Sequence, residues 1–440
     1  MDYSNYSLAS RRRPPDNRAV IGGIAMHVCI IGAGVIGMST AFMLRQKGIK
    51  VTVLEAGPQV AGQTSFANGG QLSYSYVAPL ADPGVFKDLP RWLLNKDSPL
   101  RFKPALSLPQ WRWLLHFLKA CRSDVVRRTT AQMLSLSYLS RDVLHDWQAR
   151  FNLEFAHQRN GKLIVFRSPG PFEHAREQAQ LQAELGSSQQ VLEAAQVLEL
   201  EPSLQALGSR LQGAIYTPSE EAGDACLFAL ALHERLQNDG DYELRLNTPV
   251  QRFVMEGRDI RAVHTPQGEF QADQFVLASG MGTVSLLRQL GGRPLIYPLK
   301  GYSLSLPLEG LNQAVPAISV TDYEQRIVYA RLGKVLRMAA MVDIGFEGLD
   351  IPAARMATLK QQVNGLFPGL PLEQAQTWAG LRPATPSGKP VVGASKLAGR
   401  LWVNAGHGAL GFTLACGSAA ILAAHLTGEA SPIDDAPFRP

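Results

Sequence analysis

Three glycines in the spacing G-x-G-x-x-G, Gly32, Gly34 and Gly37, follow the apolar run His27–Ile31. Glu55 closes a second apolar run eighteen residues after the last of them. Residues of these types in this order handle a diphosphate and a sugar. Gly32 permits a tight turn, Gly34 lets a pyrophosphate approach the main chain, and Gly37 lets a helix lie close to a strand. The amides that open the helix, those of Val35 and Ile36 among them, meet phosphate with the positive end of the helix dipole. The Glu55 carboxylate accepts hydrogen bonds from a ribose diol and would repel a 2′-phosphate, which argues against NADP.

A second group of glycines stands near the C-terminus. In N-A-G-H-G-A-L-G-F-T (Asn404–Thr413), Gly406, Gly408 and Gly411 precede an apolar helical run. This is another main-chain anion site at a helix N-terminus. A reduced flavin, anionic around N1 and C2=O, calls for one, whereas a simple NAD enzyme does not. The expected cofactor is therefore FAD. Its candidate contacts in this return are Gly406, His407, Gly408, Leu410, Gly411, Phe412 and Thr413, with His407 read either as adding to the stabilisation of the anion or, equally, as a polar turn residue. In the loop Gly62–Gln71, Ser65, Asn68, Gly69, Gly70 and Gln71 are expected to hold the pyrophosphate and the flavin edge. Val250 and Gly280 complete the set. No metal is expected, because the histidines are scattered without ligand spacing.

These residues need elements to carry them. Met26 to about Tyr76 reads as strand, helix, strand and loop. Leu163–Phe166 and Gly213–Tyr216 read as strands, Glu193–Leu200 and Pro202–Leu207 as short helices. The run after Gly223 reads as a helix capped by Asp224. Three short strands and a buried strand ending at Gly280 follow, then a meander over Gly301–Met341, the strand Leu401–Asn404 and the helix Gly411–Leu426. The fold expected is α/β, a discontinuous Rossmann-like FAD-binding domain beside a mixed-sheet, α+β substrate domain. The FAD part takes 26–80, 223–291 and 379–430. The substrate part takes 81–222 and 292–378. Residues 1–25 form a polar extension and 431–440 a tail.

Composition bounds the rest. The chain has 440 residues, and its net charge of +6 is too modest to call for a nucleic-acid partner. Four cysteines without a C-x-x-C pair argue for a reducing interior. The stretch Ala19–Leu44 is apolar enough for a membrane anchor, but the glycine fingerprint lies inside it, so it reads as a buried strand and helix. Arg91–Arg122 holds Trp92, Trp111 and Trp113 and seven Lys or Arg against one acid, Asp97. Such a segment suits a lipid headgroup boundary, and an ordinary basic helical face is the equal alternative. The expected location is cytoplasmic, on the inner face of the cytoplasmic membrane.

Five segments together resemble the bacterial D-amino-acid dehydrogenases, within the wider class of D-amino-acid, glycine and sarcosine oxidase flavoproteins. They are the G-A-G-V-I-G turn, T-S-F-A-N-G-G-Q, P-L-K-G-Y-S at Pro298–Ser303, W-A-G-L-R-P-A-T-P-S-G-K-P at Trp378–Pro390 and N-A-G-H-G-A-L-G-F-T-L-A-C-G-S. The resemblance covers almost all of Met26–Gly428. It implies oxidation of an amino acid to the imino acid, hydrolysis to a 2-oxo acid and ammonia, and electron transfer to a quinone or another acceptor. It implies that Arg382 grips the substrate carboxylate, and it places Tyr302 on the strand facing the flavin, as a second donor to that carboxylate or as packing. Lys300, on the same strand, reads as a solvated lysine, with a place near the flavin as the alternative. The family often has Asn-Ala-Gly-Gln where this chain has Asn68–Gln71, and Leu72–Tyr76 also departs from its pattern. A cyclic or N-substituted substrate, an oxidase using O₂ and a non-catalytic flavoprotein subunit remain as alternatives.

Overall fold

A computed structural model describes residues 26–77, 79–82, 98–183 and 189–440. The expected extension 1–25 and the segment 83–97, which includes Trp92, lie outside the described residues.

Strand β1 (His27–Ile31) pairs in parallel with β2 (Lys50–Leu54) on one side and with Gln274–Leu277 on the other. The sheet is completed by Tyr242–Arg245 beyond β2 and by Leu401–Ala405 and Val391–Ala394 beyond Gln274–Leu277. Only the last pairing is antiparallel. Both faces are covered, which is why β1 is apolar after His27. Val28 and Ile30 face a core shared with helix α1 (Val35–Gln46), Ala225–Leu236 and Gly411–Leu426. Cys29 and Ile31 face the other way, onto the three-stranded meander Arg252–Gln271 and the helix Gly282–Gln289. The apolar stretch from Met26 to Leu44 is therefore interior. Gly408–Leu426 is also long and apolar enough to cross a membrane, but two-thirds of it is buried in this core.

The second sheet is larger. Its strands run in the order Gln376–Ala384, Tyr297–Pro307, Val335–Ile344, Ile327–Leu332, Ser319–Asp322, Lys162–Phe166, Gly213–Thr217, Gln190–Glu193. Leu100–Phe102 pairs in parallel with the end of Val335–Ile344. One face packs on the helix Ala353–Leu366 through Tyr302, Leu304, Met338, Leu359 and Val363. The other face turns toward the loop after β2, where Ser303 donates to the Ala67 carbonyl (2.8 Å).

Two expectations about chain organisation differ from this arrangement. The boundary expected at 379 falls inside the strand Gln376–Ala384, which belongs to the larger sheet. The helix Ser123–Phe151, expected with the substrate part, packs instead in the first core through Met133, Leu136, Leu144 and Trp147. Gly417 permits this: a Cβ there would stand 2.7 Å from the Leu136 carbonyl oxygen.

Candidate functional site

A cavity of about 360 Å³ runs along the carboxyl ends of the parallel strands, where ligands of open α/β sheets bind. Gly32, Gly34, Val35, Ile36, Glu55, Ser65, Val250, Gly280, Gly406, His407, Gly408 and Gly411 line it. The three fingerprint glycines divide the work as expected from sterics. Gly32 turns at φ +108°, and Gly37 packs so tightly that a Cβ would fall 1.8 Å from the Gly32 carbonyl oxygen. Gly34 caps α1, and a Cβ there would meet only the Ser65 hydroxyl at 3.4 Å, so that side is open to the cavity. The Val35 amide already donates to Ser65 Oγ (3.1 Å). The amides of the rest of the first turn are those a helix leaves free for an anion. Glu55 is held at the end of β2 by the amides of Ala33 (2.7 Å) and Gly57 (2.8 Å), one on each carboxylate oxygen. Lone pairs remain for a sugar diol.

The returning tail forms the opposite wall. Gly406 (φ +84°) and Gly408 (φ +56°) turn the chain into the helix Gly411–Leu426. His407 is buried, and burial pushes its pKa down to about 3. Its Nε2 lies 3.1 Å from Ser418 Oγ, which is also within hydrogen-bond reach of the Leu414 carbonyl (2.9 Å). His407 is thus neutral and adds no positive charge to the helix end, contrary to one expectation. Leu410, Phe412 and Thr413 do not line the cavity. Phe412 sits among Phe155 and Phe228 in the core, Leu410 packs against the same core, and Thr413 is buried behind it. A helix that begins at the wall must turn its next residues inward.

The residues of Asn68–Gln71 also lie off the cavity. Asn68 accepts from the Gly70 amide (3.1 Å) and, through its carbonyl, from Arg337 (2.9 Å). Gly69 lies against Ala339. The Gly70 carbonyl takes the Gly223 amide (2.8 Å), and Gln71 pairs with Ala222. Asn68 and Gly69 tie the loop to the larger sheet, and Gly70 and Gln71 tie it to the segment Glu221–Gly223. The lining comes from just upstream, Ala61–Ser65, where Thr64 donates to the Leu381 carbonyl (2.9 Å). Sequence reading missed Asn404, Thr248 and Trp378, which also line the cavity. A polar residue ending the apolar strand L-W-V-N was the available signal for Asn404. Its Oδ1 is buried without a partner while its Nδ2 donates to Thr40 (3.1 Å). An orphaned acceptor and an open Gly34 cradle are what a dinucleotide needs, so the residues fit FAD.

Arg382 occupies the strand Gln376–Ala384 beside this cavity, between the lining residues Leu381 and Pro383. Its guanidinium makes one hydrogen bond, a long one to the Met341 carbonyl (3.3 Å), and no ion pair among the described residues. Burial lowers its pKa to about 10, the mark of a cation short of a counter-charge. Tyr302 corrects an expectation. Arg382 pairs with Leu299, and Leu299, Gly301 and Ser303 share its face, so Tyr302 points to the other face. There its hydroxyl donates to Asp343 (2.8 Å), which is itself held by Arg101 and by Arg355 (2.7 Å). Tyr302 has no proton to offer a substrate carboxylate at Arg382. Lys300 shares that opposite face and is buried rather than solvated, paired with Asp350 (3.0 Å).

Residues 27–425 match the sequence pattern of the family described as FAD dependent oxidoreductase. D-amino acid dehydrogenase 2 of Pseudomonas aeruginosa is 47% identical over 93% of this chain and 97% of its own length. The protein of the same name from Ralstonia nicotianae is 44% identical over 94% and 99%. Among solved structures, glycine oxidase from Geobacillus kaustophilus superposes with a TM-score of 0.72 at 21% identity, over 94% of this chain and 98% of that one. L-proline dehydrogenase from P. horikoshii gives 0.70 at 15%, over 93% and 96%. At such identities the two structures bear on the fold.

Proposed function

The chain belongs to the family of FAD dependent oxidoreductases, and from that premise we propose that it oxidises D-amino acids to imino acids, as a dehydrogenase. The observation that carries this reading is Arg382, a half-buried guanidinium beside the FAD cavity with no carboxylate partner among the described residues. The names borne by relatives at 47% and 44% identity support the D-amino acid.

FAD, when bound, takes up two electrons and the Cα hydrogen of the amine. The chain supplies the rest. Gly32, Gly34, Val35, Ile36 and the amides before Gly411 would cradle the cofactor, and Glu55 would hold its ribose. Arg382 offers a planar fork to the substrate carboxylate, which fixes the orientation of Cα. Alignment of this kind is the main demand of the reaction, so no side chain needs to act as a base. Water then hydrolyses the released imine to a 2-oxo acid and ammonia. Anaerobic mixing of the yellow protein with paired D- and L-amino acids tests the reading. The D-isomers bleach it and the L-isomers do not; bleaching by neither sinks it.

The acceptor we propose is a membrane quinone rather than O₂. The surface over Leu108–Ala120 supports this. Leu106, Leu108, Trp111 and Leu115 are exposed together, with Lys103, Arg112 and Lys119 around them. Trp113 does not join them, since it is buried against Phe117 and donates to the Ala384 carbonyl (2.8 Å). An exposed apolar stripe with a basic rim suits an anionic bilayer face, which would put the protein in the cytoplasm on the inner face of the cytoplasmic membrane. Flotation with anionic liposomes is expected to carry the protein upward. Leu108→Glu with Trp111→Glu should leave it at the bottom of the gradient.

A further inference from the structure

We propose that Gly301 and the bulged carbonyl of Met341 are the positioning device for Arg382, a role that rests on the reading of Arg382 as the carboxylate grip. The strand Tyr297–Pro307 pairs without interruption to Gln376–Ala384 on one side. On its other side the register slips: Lys300 faces Asp343, yet Tyr302 faces Ala340. Met341 and Val342 therefore stand opposite Gly301 alone, which is a β-bulge. Bulges beside functional sites re-aim a group that regular pairing would fix elsewhere. Here Met341 takes φ +66°, a conformation uncommon outside glycine, and its carbonyl receives Arg382 Nη1 at 3.3 Å.

Gly301 supplies the space. A Cβ at Gly301 would lie 2.4 Å from Arg382 Nη2, 2.6 Å from Cζ and 3.0 Å from Nε. All three nearest atoms belong to Arg382, and Gly301 does not adopt a positive φ. Its lack of a side chain is thus required by the guanidinium and not by the strand. The long side chain of Arg382 is laid across one glycine and pinned at its tip by one carbonyl. Two oxygens of a carboxylate then meet a fork that is already aimed, which reduces the ordering cost of binding.

The test uses the FAD-loaded protein, with propanoate as an unreactive carboxylate and propanamide as its uncharged counterpart, titrated by calorimetry. Gly301→Ala is expected to weaken propanoate at least about tenfold, to leave propanamide unchanged, and to raise the amino-acid KM far more than it lowers kcat, with the flavin spectrum intact. Propanoate affinity unchanged in Gly301→Ala overturns the proposal. Arg382→Gln separates it from the reading beneath. If Arg382→Gln binds propanoate normally, the carboxylate grip is wrong; if it loses propanoate while Gly301→Ala does not, only the positioning role is wrong. Should Gly301→Ala fail to fold, the double variant with Arg382→Ala is expected to fold, because the three atoms nearest the added methyl all belong to Arg382; a double variant that also fails overturns the role.

Discussion

Replacing Arg382 with alanine raises KM for the amino acid about a hundredfold or more and leaves the protein yellow. The size follows from what is lost. A paired, hydrogen-bonded charge in a desolvated site costs roughly 2–5 kcal/mol when one partner is removed, and about 1.4 kcal/mol is a factor of ten. Retention of the flavin follows from geometry. Arg382 touches the Met341 carbonyl and lies across Gly301, whereas the cavity is lined by its neighbours Leu381 and Pro383. The folded protein loses little, since it gives up one long hydrogen bond and gains relief from a half-buried cation that has no ion pair among the described residues. Steady-state kinetics and the absorption spectrum of the same preparation decide the matter. A near-parental KM, or a colourless variant, removes Arg382 from the role given to it.

The second large effect is expected at Gly34. Gly34→Val should give a folded, colourless protein whose affinity for FAD has fallen roughly a hundredfold or further, about 3 kcal/mol by the same conversion. Gly34 has φ −71° and ψ 178°, extended values that valine adopts easily. The one atom near an added Cβ is Ser65 Oγ at 3.4 Å, so the chain itself barely objects. The branches would stand where a diphosphate must approach the amides of α1. Gly37→Ala offers the contrast. Its methyl would collide with the Gly32 carbonyl, α1 would have to lift from β1, and stability and cofactor would be lost together. Thermal unfolding separates the two: Gly34→Val should melt like the FAD-free parent and gain nothing from added FAD, whereas Gly37→Ala should melt well below the FAD-free parent. A yellow Gly34→Val protein would show that the diphosphate lies elsewhere.

Much of this was legible because buried parallel strands and helix-opening glycines leave local marks. β1, α1, β2, the helix after Asp224 and the return through Leu401–Leu426 could all be read from runs of apolar residues and from where glycines interrupt them. Asp224 caps its helix as expected, accepting from Cys226 (2.8 Å) and Leu227 (3.1 Å). The misreadings share one cause: they concern which distant segment a residue faces. Ser123–Phe151 has the periodicity of a helix but nothing in it says that its partner is Gly417, nearly three hundred residues away. Tyr302 and Arg382 belong to motifs that look alike in promise, yet strand alternation in the larger sheet puts them on opposite faces. Asn68, Gly70 and Phe412 have types that suit a binding loop or a flavin neighbour, and tertiary contacts claim them first.

The interior position of Leu401–Ala405, between Gln274–Leu277 and Val391–Ala394, reaches into the biosynthesis of the protein. A nascent chain not yet translated past Ala384 has β1 and β2 but lacks the strand that flanks Gln274–Leu277 and the helix that covers α1. Flavin loading must then wait until Leu401–Leu426 has been made, and the apolar faces of Met26–Leu44 stay in need of protection until it has.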